Sequence, residues 1–502
     1  MAELRVGEGQ QYRTLEAAAA AARPGDEVIV TAGIYRERLV ANTPDVTWRS
    51  ETPGAAVLAG GWDGQTVGAG RHSGQVQLSA PGARAVGFTI RNCPGRGIVL
   101  SADNTQAIGN IIDNCCDGGI IANDCANILI EGNVLTRLGM SWVAGERRVV
   151  SGSMNLVKVR NGRATGNRLS GGHGEGINCG RGSYNCRVDG NVVSDCSHLA
   201  YYFNRCVDCV IERNVAVLTR DPAFDAGESG NWPAAYVFGD EAAHSDSYPW
   251  QRGNHLLNNL AVGYGTLVDV RNNAETQGRA GYNTQLAGSR IEGNTLIAGP
   301  GTRAGMMLRE NQRGRPHRDT VVRHNVIYFD GAEAGAAIGR FTGGGVTFER
   351  NAWTQQPPAN MRGAGDLVGP VGLVNPGAEV AGSGATGLTV FDVDNYRPRG
   401  DSPLVGAGPD GLTWGALEPV ATEPPPPDPD PDPEPGAVDW DALLERAAGV
   451  GTRLATMGEA GNKAREHLAA ANAELAVMSL AHEDAVDDMA ALLTMLEEYK
   501  AG

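Results

Sequence analysis

The sequence predicts an all-β solenoid, a parallel β-helix, followed by an α-helical coiled-coil segment. Three observations predict it. A short apolar phrase ending in asparagine recurs ten times between residues 88 and 351, many of the intervals falling between 18 and 26 residues. That period is too short for a propeller blade, and the phrase lacks the Leu/Asn spacing of leucine-rich repeats; it fits one turn of a β-helix. From residue 438 onward the pattern changes, and apolar residues recur at alternating spacings of three and four.

Composition is compatible with a large folded body. The 502 residues include 70 glycines, 41% apolar residues and 20% charged ones, which excludes disorder along the whole chain. The net charge of −16 is unevenly placed: residues 421–502 carry 17 acidic and five basic side chains, a net of −12, leaving −4 for the front part. No basic face points to nucleic acid. No run of about 18 apolar residues points to membrane insertion. The first residues, MAELRVGEGQQYRTLEAAAAAARPGDEV, show no charged segment followed by an apolar one, so the expectation is no signal peptide, unless Met1 has replaced one.

The repeats are FTIRN ending at Asn92, QAIGN at Asn110, LIEGN at Asn133, RATGN at Asn167, RVDGN at Asn191, VIERN at Asn214, LLNN at Asn259, RIEGN at Asn294, VVRHN at Asn325 and TFERN at Asn351. Each coil supplies about three short strands, and each strand pairs with its equivalent about 4.8 Å away in the next coil. An asparagine at a fixed point can turn inward and hydrogen-bond to those above and below, as in other amide ladders. It also tolerates a tight turn.

With this phrase, the chain resembles the pectate-lyase-like superfamily of right-handed β-helix proteins. YRTLEAAAAAARPGDEVIVTAGIYRERLV (12–40) looks like that family's opening, a short helix plugging the end of the solenoid before the coils. NYRPRGDSPLVGAG (395–408) looks like its closing coil. The resemblance implies a right-handed β-helix over residues 1–418. It does not fix the activity, because the superfamily holds lyases, hydrolases, epimerases and non-catalytic phage spikes.

All nine cysteines lie between Cys93 and Cys209. Counted from the repeat asparagine, Cys186 and Cys209 occupy equivalent positions in adjacent coils and should stack. Small apolar residues at a repeated core position are the expected reading. Metal binding through Cys206-x-x-Cys209 and a third thiol is the alternative, and a single CxxC supports it weakly; no metal or other cofactor is expected.

The stretch SGGHGEGINCGRGSYNCRVDGN (170–191) holds His173 and Glu175 beside glycines that suit tight backbone geometry. Side chains on a strand alternate in and out. If Ile177 points in, Asn178 points out, and the equivalent outward positions elsewhere are Lys158 and Arg160, Tyr202 and Asn204, Phe238 and Asp240, Asp269 and Arg271, and Arg309. Aromatics beside amides and charges suit a sugar chain, through stacking and forked hydrogen bonds. In the resembling lyases this strand carries the substrate groove. The insertion 221–254, with Trp232, Tyr236, Tyr248 and Trp250, is expected to form one wall. A uronate lyase needs a base, for which Lys158 or His173 are candidates, with Arg271 or Arg309 against the carboxylate. A hydrolase needs two carboxylates, for which Glu175, Asp240, Glu241 and Asp269 are candidates. His173 and Glu175 as plain loop residues remain an open alternative.

Residues 419–437, including EPPPPDPDPDPEPG, have no core residues and favour extended, self-repelling polyproline II geometry. Residues 438–502 follow as a coiled coil for oligomerisation or attachment, weakened in its middle by Gly449, Gly451, Gly458 and Gly461. A sugar-surfaced β-helix on a stalk ending in an oligomerising helix resembles a phage tail spike or fibre. That layout implies a virion protein that binds, and in some cases cleaves, a host surface polysaccharide. Its partners would be further copies of itself, a trimer for preference, and other tail proteins. An extracellular polysaccharide lyase or epimerase and a non-catalytic structural virion protein are the alternatives.

Overall fold

In the computed structural model, residues 2–420 are described apart from 65–71, 141–150, 220–232, 242–248, 274–281, 311–314, 379, 381–390 and 409–410. The stalk from residue 421 and the expected coiled coil at 438–502 lie outside the described residues, as do Trp232 and Tyr248.

Three long parallel sheets run the length of the body. The chain visits them in fixed order, one strand per coil. The first sheet has 13 strands, from Glu3–Val6 to Val346–Glu349; the second has 13, from Gly33–Tyr35 to Leu367–Val368; the third has 11, from Leu39–Ala41 to Ala337–Phe341. This is a parallel β-helix. Its first strand precedes the plug: Glu3–Val6 pairs with Glu27–Val30, and the helix Leu15–Ala21 lies between them in sequence. Thr14 caps that helix, its hydroxyl accepting the Ala17 N–H, and Leu15 and Ala18 enter the core.

The asparagine ladder stands at the turn between the first and second sheets. Asn110, Asn133, Asn167, Asn191, Asn214, Asn259, Asn294 and Asn325 each donate both backbone N–H and side-chain Nδ2 to Oδ1 of the next asparagine, at 2.8–3.1 Å. Each Nδ2 also reaches a main-chain carbonyl one coil back, Ala164 in the case of Asn191. The ladder ends at Asn351, whose N–H donates to Asp366. Asn92 is a correction. It lies outside the ladder, pairing with Asn114 one coil on, and the first rung is the Phe88 N–H bonded to Asn110. FTIRN matches the phrase in letters but is displaced along the coil.

A second correction concerns the end of the solenoid. Residues 395–408 form no closing coil. The last described coil ends at Leu367–Val368, and the chain turns back along the outside of the second sheet. There Leu373, Tyr396, Leu404 and Trp414 pack on Val217, Leu260, Val262, Ile297, Val326 and Ala352. Gly415 and Ala416 bond to His324 and Thr295, so the apolar outer face of this sheet is covered by the chain's own return segment.

All nine cysteines are buried and unbridged. Cys93 and Cys115 pair in register, and Cys186 and Cys209 precede the paired residues Arg187 and Val210 in adjacent coils. Among the described residues no group of His, Cys, Asp or Glu is arranged to hold a metal ion.

Candidate functional site

The third sheet explains itself through one departure from strict alternation. On the strand Gly174–Cys179, Glu175 faces out, Gly176 and Ile177 both face the core, Asn178 faces out and Cys179 faces in. A side chain on Gly176 would meet Val193 and the Ala200 backbone inside the solenoid. The next strands repeat the pattern: Ala200 and Tyr201, Ala235 and Tyr236, and Leu267 and Val268 all belong to the core. Outward positions therefore fall at i and i+3. The backbone register gives one outward column of Asn155, Asn178, Tyr202, Val237, Asp269 and Met307. A parallel column holds Asn204, Gly239, Arg271 and Arg309.

This pattern corrects two expectations. Phe238 is in register with Cys179, Phe203 and Val270, and stacks on Phe203 inside the core at 4.7 Å between ring centroids. Val237 takes the outward place. Tyr236 is likewise no groove wall: it stacks on Tyr201 at 5.2 Å, and both hydroxyls bond to ladder-turn carbonyls. Tyr202 does face outward, but its ring is fully buried with Leu199, Ala234 and Val237. It offers no open face for stacking; its hydroxyl supports Glu241 at 3.4 Å.

The remaining residues form a polar floor of three contact groups. Asn178 Nδ2 donates to Glu175 Oε2 at 2.8 Å. Asn204 Nδ2 donates to Glu241 Oε2 at 3.4 Å. Arg271 Nε approaches Asp269 Oδ2 at 3.3 Å, and Arg309 Nη1 approaches Asp269 Oδ1 at the same distance. Arg271 also reaches His198, with 3.3 Å between Nη1 and Nε2. Burial, helped by repulsion from Glu241, pushes the Glu175 carboxyl up to about 8, against the opposing pull of Asn178, Arg271 and Arg181. Glu175 is therefore largely protonated at neutral pH.

Three candidates stand apart from this floor. His173 is buried at the corner before Gly174, its N–H on the Leu138 carbonyl, and burial lowers its ring to about 4. A ring so reluctant to take a proton is a poor base near neutral pH. Lys158 is exposed in a left-handed turn after its strand, stacked on Arg181 of the next coil through its N–H. Asp240 is fully buried and turned aside, toward the Gln251 N–H at 3.2 Å and Arg315 at 3.8 Å; burial raises it to about 7. Trp250 lies beside it between the guanidiniums of Arg205 and Arg315, at 4.3 and 3.9 Å.

On this floor Asn155, Asn178 and Asn204 each keep a buried Oδ1 that accepts no hydrogen bond among the described residues. Buried acceptors left open cost about 1–3 kcal/mol each. Solvent or a ligand hydroxyl must fill them. His198 was missed by sequence reasoning. Its signal was available by writing SHLAYYFN under HGEGINCG at the coil period, which aligns Leu199 with Glu175.

A family model described as the right-handed β-helix region matches residues 76–232. The described body is a right-handed parallel β-helix. No curated protein matches this β-helix in sequence. Similar solved structures include an alginate lyase from Paenibacillus sp. str. FPU-7, 15% identical, with a TM-score of 0.43, covering 57% of this chain and 94% of that one. A complex of XylC with xylose is 10% identical, with a TM-score of 0.47 and coverage of 73% and 86%. The Dettilon tailspike protein is 14% identical, with a TM-score of 0.43 and coverage of 70% and 63%.

Proposed function

We propose that the outward face of the third sheet, from Asn155 to Arg309, binds a polysaccharide, and that Glu175 is its proton donor. The carrying observation is the row of buried asparagine acceptors without donors, set among Glu175, Glu241, Arg271 and Asp269. Sugar hydroxyls supply donors at many points along a chain, and coils about 4.8 Å apart let neighbouring sugars meet successive rungs. Arg271, Arg309 and the amides complete the contacts. A protonated Glu175 near a second carboxylate favours hydrolysis over elimination. Glu175 would give its proton to the glycosidic oxygen as the C–O bond breaks, and Glu241 would take one from the water that replaces it.

The layout supports a tail spike or fibre of a virion, with the alternating Pro/Asp stalk and the heptad-patterned segment joining copies, three for preference, or docking on other tail proteins. Binding to a panel of polygalacturonate, hyaluronate, xylan, dextran and bacterial surface polysaccharides tests the face, and released reducing ends test the chemistry. Glu175→Gln is expected to keep binding and lose turnover. Binding unaffected by Arg271→Ala and by Asn178→Leu would remove the face from consideration. Binding without new reducing ends would make the protein an adhesin.

A further inference from the structure

His198 belongs to none of the roles above, yet it is 7% exposed and sits on the same face, immediately before Leu199, the residue paired with Glu175. Its partner Arg271 comes from two coils further on. Between them lies the coil of Ala234 and Val237. A guanidinium only donates hydrogen bonds. At 3.3 Å from Arg271 Nη1, His198 Nε2 must therefore present its lone pair. The ring is then neutral and carries its proton on Nδ1. That buried Nδ1 meets no acceptor among the described residues. Asp269 holds the same guanidinium from the other side, through Nε.

We propose that neutral His198 is a positioning residue: it holds Arg271 across the third sheet beside Glu175, and leaves its Nδ1–H for an acceptor oxygen of the bound ligand. The first half stands on the His198–Arg271–Asp269 geometry alone; the second rests on the polysaccharide reading of this face. The groups that act on Glu175 are Glu241, Asn178, Arg271 and Arg181. Burial, followed by the Arg271 charge, lowers the His198 ring to about 3, which agrees with a ring that stays neutral at working pH.

The test uses full-length protein carrying 15N-histidine and 13C-carboxyl glutamate, with His198 and Glu175 signals assigned through His198→Gln and Glu175→Gln. From pH 5 to 8, His198 is expected as the Nδ1–H tautomer with a bare Nε2. An Nε2–H tautomer, or an imidazolium at pH 6, overturns the assignment. His198→Leu is expected to raise the Glu175 midpoint by about half a unit or more, because the guanidinium that favours the carboxylate is no longer held. His198→Gln, whose side-chain oxygen also accepts from arginine, is expected to keep it close to wild type. An unchanged midpoint in His198→Leu overturns the positioning role. These readings need no ligand. With a polysaccharide from the panel that binds wild type, a shift of the Nδ1 proton supports the ligand contact, and an unmoved proton removes that contact while the face stands.

Discussion

The same residue does opposite work on the two sides of this solenoid. At the inner turn, Asn191 has every polar group engaged: N–H and Nδ2 go to Asn214, Nδ2 also reaches Ala164, and Oδ1 receives Asn167. On the outer face of the third sheet, Asn178 and Asn204 spend Nδ2 on a carboxylate and keep Oδ1 open. The inner asparagines are saturated by one another and hold coils in register. The outer ones are aligned by those coils but left incomplete. Saturation, not residue type, separates scaffold from candidate site.

The largest expected effect is on the saturated side. Asn191→Leu removes the acceptor of the Asn167 N–H, one of the acceptors of its Nδ2 and the side-chain donor to the Ala164 carbonyl, and is expected to destabilise by about 3–6 kcal/mol in urea unfolding. A loss under 1 kcal/mol would deny the ladder its role. Phe238→Ala sharpens the contrast within one strand. Because Phe238 is stacked in the core, the loss is expected to be about 3–4 kcal/mol, with polysaccharide affinity per folded molecule unchanged.

Glu175→Gln addresses the outer side through pH. The folded-state value of Glu175, about 8, lies above its ordinary value of 4.5. The folded state therefore holds that proton more tightly than the unfolded chain. The associated stability is present below about pH 4.5 and is lost as pH rises through about 8. Relative to wild type, Glu175→Gln is expected to gain about 1–2 kcal/mol between pH 5 and 8.5 in paired denaturant titrations. No relative gain would mean that Glu175 is already ionised at pH 5.

Much of the scaffold was legible, because a ladder that bonds only to itself must repeat its residue at every coil. The asparagine phrase carried the fold, and it failed at Asn92, where Phe88 opens the ladder and only the letters repeat. The site was legible in part. Glu175, Asn178, Asp269, Arg271 and Arg309 do share one face. Strict alternation put Phe238 among them, since two inward residues in a row leave no mark on composition. The burial of Tyr202 also escaped, because it depends on Leu199 of its own strand and on Ala234 and Val237 of the next coil. His198 escaped because its partner lies 73 residues away.

The most direct measurement is the pair of affinity and stability for Asn178→Leu with Asn204→Leu, set against wild type by calorimetric titration of a binding polysaccharide and by urea unfolding. Filling two open acceptor sites with apolar side chains removes hydroxyl contacts without breaking a saturated network. The account predicts affinity at least tenfold weaker, about 1.4 kcal/mol, with stability within about 1 kcal/mol of wild type. Unchanged affinity together with a stability loss as large as that of Asn191→Leu would contradict it, making the outer asparagines a second structural ladder.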